Sequence, residues 1–166
     1  ANRQEPNLGR LTDLVALGTV ADVVPLDKNN RILVAAGLQR IRSGKARPGI
    51  LALLEVASRP LHAVVASDLG FAVGPRINAA GRLDDISVGI ECLLQTDQAD
   101  ARRLAAELHQ INVDRRLIEQ GMQDQAVKLL DELPLAEEGL PVAMTLYRGD
   151  WHQGVIGILA SRIKDR

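Results

Sequence analysis

Aromatic residues and cysteine are scarce in this chain, and each shortage limits what the chain can be. Phe71, Tyr147 and Trp151 are the three aromatic residues among 166, so the core has to be built from Leu, Ile, Val and Ala, a mixture that favours packed helices. The single Cys92 excludes an internal disulfide and indicates a reducing compartment. Because Cys92 lies in an apolar pattern, we expect it to be a small buried side chain.

Long apolar runs and the common enzyme motifs are also missing. No run is long enough to span a membrane and no signal peptide is recognisable, which predicts a cytoplasmic protein without a membrane partner. Zinc sites and covalent hydrolase chemistry are not supported, because no CxxC, HExxH, P-loop or nucleophile elbow occurs. The chain has no initiator methionine and ends within an apolar pattern, so we expect an internal fragment of a longer protein.

Charge is nearly balanced over the whole chain but not along it. The formal net charge is −1 at pH 7, which excludes a generally basic nucleic-acid coat. Residues 31–47 nevertheless hold five basic side chains and no acidic one: Arg31, Arg40, Arg42, Lys45 and Arg47. Such a basic run attracts phosphate locally, and the alternative is an ordinary solvated helix face.

Apolar residues at helical spacing predict four helices in the first half of the chain. They cover residues 8–21, 31–42, 48–57 and 86–94. The turn at 27–30 contains asparagines suited to cap the second helix, Gly44 suits its end, and Pro48 suits the first position of the third. A short helix capped by Ser67 is expected to lead into the stretch at 71–85.

The longest predicted helix begins at a cap on Thr96 or Asp97 and continues to about Leu133. At about 1.5 Å per residue it would span roughly 55 Å, a length that either crosses a large bundle or bridges two domains. Gly121 is a possible bend within it. A linker at 132–141 follows, rich in proline and acidic residues.

The pattern changes after this linker. Residues 142–147 alternate and predict a strand, residues 148–152 predict a loop, and residues 153–163 predict a helix. Gly154, Gly157 and Ala160 would give that helix a smooth face for close packing.

The most unusual stretch is residues 71–85, which sets Arg76, Asn78 and Arg82 among small residues. The planar guanidinium groups suit phosphate, and glycines on both sides permit a tight turn or a close approach to a ligand. The stretch therefore predicts a shaped anion site. The alternative is an arginine-rich turn held by salt bridges to Asp84 and Asp85.

Two further residues could carry chemistry. Asp22 lies where the first predicted helix ends, among apolar residues; a carboxylate there is costly to bury without a cation, and Mg²⁺ or Mn²⁺ takes such oxygen ligands. Its alternative is an acid bonded to local backbone N–H groups.

His152 precedes the last predicted helix and could hold a phosphate with the N–H groups there, or be an ordinary turn histidine. His62 and His109 lack a partner at ligand spacing and are predicted to be structural.

Three segments in series resemble the RecJ-like exonucleases of the DHH phosphoesterase superfamily. They read DLVALGTVADVVPL at 13–26, GPRINAAGRL at 74–83 and WHQGVIGILASR at 151–162. The resemblance implies an α/β protein of which this chain, itself mostly α, supplies three parts. These are the C-terminal part of the DHH catalytic domain at 1–95, a connector helix at 96–133, and the first strand and helix of a DHHA1 domain at 141–166.

The resemblance also implies a function and a site. The function is 5′→3′ exonucleolytic hydrolysis of single-stranded DNA in repair and recombination, using two Mn²⁺ or Mg²⁺ ions. Asp22 would be a catalytic metal ligand, Arg76, Asn78 and Arg82 would contact the DNA backbone, and His152 would be a further DNA contact. Single-strand-binding protein and a helicase are the implied partners of a monomer.

The resemblance is incomplete, and other functions stay open. The Asp-His-His motif and the glycine-rich motif of the DHHA1 domain do not occur in these 166 residues, so we expect the chain to be inactive alone. One alternative is a phosphoesterase of the same superfamily that acts on small molecules or short oligonucleotides. Another is a non-catalytic DNA-binding or replication scaffold.

Overall fold

The computed structural model describes residues 6–132 and 142–165, and all regular structure in these two ranges is helical. The chain divides into two compact units, Ala1–Asn112 and Val113–Arg166. No helix in the two ranges is long and apolar enough to cross a membrane. The prediction of a mostly α chain is confirmed.

The helices follow the predicted order with shifted ends. In the first unit they are a 3₁₀ turn at Leu8–Leu11, α1 at Thr12–Ala21, α2 at Lys28–Arg42, α3 at Pro48–Val56, a 3₁₀ turn at Leu61–Ala63, α4 at Ala66–Asp68, a π-helical turn at Leu69–Val73, α5 at Gly74–Leu83 and α6 at Ser87–Leu94. The long helix α7 at Gln98–Asp131 begins in the first unit and ends in the second, where α8 covers Ile156–Lys164.

Caps explain several helix ends. The Asp27 side chain accepts from the Asn30 N–H at 2.8 Å, so an aspartate rather than an asparagine caps α2, and the helix begins three residues before the predicted Arg31. Asp97 caps α7 by accepting from two backbone N–H groups of its first turn. Ser67 lies inside α4 and does not cap it; there the Asp68 carboxylate accepts from the Val65 N–H.

Two glycines let helices of the first unit cross at backbone contact. A Cβ built on Gly37 of α2 would lie 2.2 Å from the Thr12 carbonyl oxygen, and one on Gly49 of α3 would lie 1.9 Å from the Cys92 carbonyl oxygen. The core around these crossings is aliphatic, as the shortage of aromatics predicts. Its largest fully buried side chains include Ile41, Ile50, Leu53, Leu54, Leu69 and Leu108.

A buried carboxylate joins three helices of this unit. Asp13 of α1 is fully buried, accepts from the Arg47 N–H at the start of α3 at 2.8 Å, and lies 3.6 Å from the Arg40 guanidinium of α2. A buried charge of this kind needs a partner and hydrogen-bond donors, and here a basic residue and the backbone supply them. Asp13 is therefore a structural residue.

The second unit is organised around the end of α7. Its apolar positions Met122 and Ala126 are buried, as are Val155 and Leu159 of the C-terminal segment. The buried Glu119 forms ion pairs with Arg115 of the same helix and with Arg162 of α8. α7 continues through Gly121, so the helix is not interrupted at the position where a bend was considered.

In the C-terminal segment the predicted strand and the predicted close packing at Gly157 are not observed, the last helix begins later than predicted, and most of the linker cannot be compared. Residues 143–148 have no regular structure, because a strand needs a neighbour to bond with and the described residues contain no second strand. α8 begins at Ile156, after a turn in which the Val155 and Ile156 N–H groups donate to the His152 carbonyl. A Cβ on Gly157 would meet none of the described residues within 4 Å, so the predicted close packing is not observed at that position. Residues 133–141 of the predicted linker lie outside the described residues.

Candidate metal and nucleic-acid site

The end of α1 fixes the backbone of Asp22. Asp22 is the C-terminal cap residue, and its N–H donates to the Gly18 carbonyl at 3.0 Å. The next two N–H groups turn back into the helix, from Val23 to Val20 at 3.2 Å and from Val24 to Thr19 at 3.0 Å. This is the Schellman arrangement, which closes a helix with one left-handed residue. The Asp22 backbone is thus held by three successive hydrogen bonds.

The left-handed residue in this cap is a valine. Val23 has φ 54°, whereas α2 uses Gly44 at φ 68° in the same position and α3 uses Ser58 at φ 55°. A β-branched side chain in the left-handed region is a genuine outlier, and such strain clusters at functional sites. Val23 is also 86% exposed, so burial of its side chain does not offset the strain. The strained position directly follows the candidate metal ligand.

Asp22 fits one position of a divalent-metal site but not a whole site. It is exposed, and its carboxylate oxygens are the hard donors that Mg²⁺ and Mn²⁺ prefer. Within residues 6–132 and 142–165, no group of three His, Cys, Asp or Glu side chains could hold a metal ion.

The arginine stretch is a helix and not a turn. α4, the π-helical turn and α5 follow one another without a break from Ala66 to Leu83. Its glycines serve packing: a Cβ on Gly70 would lie 3.3 Å from a Val20 methyl group, and one on Gly74 would lie 3.3 Å from the Ala21 Cβ. The helix therefore contacts the last turn of α1, immediately before Asp22. Residues far apart in sequence meet here, as a site requires.

Arg76 is buried and does not present its guanidinium group on the surface. It is 7% exposed; its Nη1 donates to the Ala72 carbonyl at 2.5 Å, and its Nε donates to His109 Nδ1 of α7 at 3.2 Å. These partners also differ from the acids of the salt-bridged alternative. Arg76 thus joins α5 to α7 inside the first unit, and its predicted DNA contact stays an untested prediction that its burial does not favour.

Asn78 and Arg82 lie four residues apart on α5, and both are exposed. Side chains at this spacing share one face of a helix. An amide and a guanidinium group on one exposed face are suited to phosphate oxygens. The nearby acids have backbone partners: Asp85 accepts from the Ser87 N–H at the start of α6, and this bond holds the pKa of the Asp85 carboxyl below its ordinary value.

His152 belongs to the second unit and shapes the start of α8. It is half-buried, and its Nδ1 accepts from the Gly154 N–H at 3.1 Å. In the neutral ring this bond leaves the proton on Nε2, which is then a donor. The adjacent loop is tied down, since Trp151 Nε1 donates to Gln125 of α7 at 2.7 Å and Arg148 bonds both oxygens of Asp150.

The basic run at 31–47 is partly used within the fold. Arg40 pairs with Asp13, and the Arg42 Nε donates to the Val64 carbonyl at 2.8 Å. Arg31 and Lys45 are exposed. The Arg40–Asp13 pair therefore lowers the charge that this run offers to a phosphate, whereas Arg42 remains exposed and keeps its charge.

Sequence reasoning passed over one exposed residue beside the site. Phe71, the first residue of the arginine stretch, is 83% exposed, although a core short of aromatics would be expected to use it. The signal that could have identified it was the isolation of one phenylalanine between Gly70 and small apolar residues.

Comparison with known proteins finds relatives that share one name. No protein-family model matches the chain. It is 62% identical over 162 residues to the single-stranded-DNA-specific exonuclease RecJ of Dickeya dadantii, covering 98% of this chain and 28% of that protein. Against the protein of the same name from Escherichia coli the identity is 61% over 161 residues, covering 97% and 28%.

Solved structures agree with these relatives. A crystal structure of exonuclease RecJ bound to manganese superposes with a TM-score of 0.81 at 37% identity, covering 95% of this chain and 38% of that one. RecJ of Thermus thermophilus in complex with Mg²⁺ gives a TM-score of 0.80 at 38% identity, covering 96% and 24%. The chain spans less than a third of the length of the curated relatives named above.

Proposed function

Because this chain belongs to the RecJ family over nearly all of its length, we propose that it is part of a metal-dependent exonuclease that degrades single-stranded DNA. The observation that carries the proposal is the pairing of 62% identity over 98% of the chain with a TM-score of 0.81 to a manganese-bound relative. The activity belongs to the longer protein, since the described residues contain no complete metal site.

Asp22 is the residue of this chain that we assign to the metal site. Divalent ions, when bound, supply Lewis-acid activation for hydrolysis of the phosphodiester. The contribution of the chain is to hold the backbone that carries the carboxylate, through the hydrogen bonds of the α1 cap and the packing of Gly70 and Gly74 against that end of the helix. A ligand held in this way loses little freedom when a metal binds.

The same end of the first unit supplies the proposed contacts to the DNA backbone. Asn78 and Arg82 are the primary candidates because they are exposed on one face of α5. Arg76 acts indirectly, by fixing α5 to α7 through His109. His152 is a further candidate in the second unit, with Nε2 as its donor.

Finer features of the proposal rest on the family relationship alone. They are a DHH catalytic part at 1–95, a connector helix at 96–133 and a DHHA1 part at 141–166. They also include 5′→3′ polarity, action in cytoplasmic DNA repair and recombination, a monomeric state, and cooperation with single-strand-binding protein and a helicase.

Substrate length separates this function from its main alternative. We expect the full-length protein that contains this chain to digest a long single-stranded oligonucleotide in Mn²⁺, to leave the matching duplex intact, and to stop when the metal is chelated. The 166-residue chain alone should be inactive. Faster hydrolysis of a dinucleotide than of the long strand would favour a small-molecule phosphoesterase, and no hydrolysis of either would favour a scaffold.

A further inference from the structure

Phe71 has no structural role that explains its exposure. It is 83% exposed, although burying an apolar side chain of this size is favourable. Scattered exposed apolar residues are normal, so exposure alone means little. What distinguishes Phe71 is the backbone that carries it and the residues beside it.

The backbone at Phe71 is a π-helical turn. Leu69–Val73 forms this turn between α4 and α5, and it buries Leu69, Ala72 and Val73. Turns of this kind are rare and occur frequently at functional sites. The three neighbours turn into the core while the aromatic ring alone stays outside. The irregular backbone thus coincides with the one aromatic residue of the first unit.

Phe71 begins a row of residues that lie outside the core. Phe71, Asn78 and Arg82 are exposed, and Pro75 between them is half-buried; we call these four residues the 71–82 row. Their spacings of four, three and four residues place them on one helix face, over roughly 16 Å of axis. Gly70 and Gly74 contact the end of α1, so the helical stretch that carries the row packs against the last turn of α1, which Asp22 follows.

We propose that Phe71 stacks on a base of single-stranded DNA whose phosphates contact Asn78 and Arg82. This proposal rests on the proposed function and adds a base contact to it. Aromatic rings accept any base because every base has a π-face, and such stacking pairs naturally with phosphate contacts along a strand. A ring on the helical stretch that packs against the last turn of α1 orients the strand without reading its sequence.

Strands with and without bases test the proposal. Binding of the full-length protein to oligothymidylate and to an abasic strand of equal length and charge is measured with the metal chelated. We expect Phe71→Leu, which keeps an apolar side chain but loses the ring, to weaken oligothymidylate binding about 5- to 100-fold and to leave abasic binding unchanged. Phe71→Trp should retain the preference for bases.

A control variant and the abasic strand distinguish loss of base stacking from a general loss of binding or of stability. Leu94→Ala removes an exposed apolar side chain of α6 outside the row and should change neither affinity. Equal weakening on both strands, or a lower melting temperature of Phe71→Leu with the base preference intact, would make Phe71 a packing residue and overturn the proposal. Failure of the unmutated protein to bind either strand contradicts the proposed function instead.

Discussion

At the scale of single residues, the two arginines of α5 have different surroundings although the sequence presents them alike. Arg76 is buried between the Ala72 carbonyl and His109, whereas Arg82 is exposed. We expect Arg76→Ala to lower the free energy of unfolding by about 2–4 kcal/mol, because it leaves buried hydrogen-bond partners unpaired. We expect Arg82→Ala to keep the fold and to reduce the salt dependence of single-strand binding by about one unit of slope.

Thermal unfolding and salt titrations of binding, applied to both variants, check this contrast. Arg103, which is exposed and pairs with acids on its own helix, offers the matched control: Arg103→Ala should affect neither quantity appreciably. A folded Arg76→Ala protein with a reduced salt slope would instead restore Arg76 as a direct phosphate contact.

Val23 is the most strained residue of the candidate site. Because a left-handed conformation costs a side-chain-bearing residue roughly 1–2 kcal/mol, and because Val23 is 86% exposed, Val23→Gly should raise stability by up to about 1 kcal/mol. Ser58→Gly, at nearly the same φ but without a β-branched side chain, should give a smaller gain. Chemical denaturation of both variants measures the difference; a loss of stability in Val23→Gly would contradict the strain.

Burial of Cys92 makes stability depend on alkaline pH. Burial raises the pKa of the Cys92 thiol from 9.0 to about 11. The folded state therefore holds this proton where the unfolded state releases it, and the stabilisation is complete below about pH 9 and is lost as the pH rises towards 11. The stability advantage of the protein over Cys92→Ala should shrink by about 1.4 kcal/mol per pH unit in that window.

Denaturation of both proteins from pH 8 to 11 measures this change, and the other alkaline groups cancel in the comparison. A constant difference across the window would mean that the thiol ionises in the folded protein as readily as in water. The expectation of a buried cysteine is already confirmed, since Cys92 is fully buried.

At the scale of helices, glycine positions decide where elements touch. Gly37→Ala and Gly49→Ala each place a Cβ within 2.2 Å of a backbone oxygen. Backbone atoms cannot move aside as a flexible side chain does, so the free energy of unfolding of each variant should fall by about 2 kcal/mol or more. Gly121→Ala is the control, since its Cβ meets nothing within 4 Å, and it should gain up to about 1 kcal/mol from helix propensity. Melting curves compare the stabilities of the three variants. Equal changes in stability would contradict the close helix crossings at Gly37 and Gly49.

Helix periodicity was sufficient to predict most elements, including a helix of 34 residues, because apolar spacing and caps are local signals. The strand predicted at 142–147 was wrong because a strand depends on a partner that local alternation does not reveal. The helical backbone of the arginine stretch could not be predicted, for a similar reason. Its glycines allow contact with Val20 and Ala21. This contact is tertiary, and the sequence of a glycine-containing helix that packs closely looks the same as that of a glycine-containing turn.

The site residues also differ in whether local sequence was sufficient to predict their surroundings. Asp22 was identified as a candidate through its position at a helix end, and that position is where the structure has it. The burial of Arg76 and the exposure of Phe71 depend on how α5 and the π-helical turn are rotated. Rotation within a small-residue helix is set by its packing partners and not by its own apolar pattern.

At the scale of the whole molecule, the chain corresponds to one part of its longer relatives. It spans less than a third of the relatives named above and contributes one metal-ligand candidate with a row of nucleic-acid-binding candidates beside it. No three potential ligands cluster in the part of the chain described here, so we assign one metal ligand, and not a complete metal site, to these residues. The central claim is therefore that Asp22 belongs to the catalytic metal site of a single-strand exonuclease.

Substitution of Asp22 in the full-length protein tests that claim most directly. The measurement is Mn²⁺-dependent release of nucleotides from end-labelled single-stranded DNA by the unmutated protein, by Asp22→Asn and by Asp27→Asn. Asparagine caps helices as well as aspartate does, so Asp27→Asn should keep its α2 cap and its activity. Asp22→Asn should fold normally and lose at least about 100-fold in rate, since even indirect partners of a metal typically cost 10–100-fold. Unchanged rate and Mn²⁺ dependence in Asp22→Asn would contradict the claim.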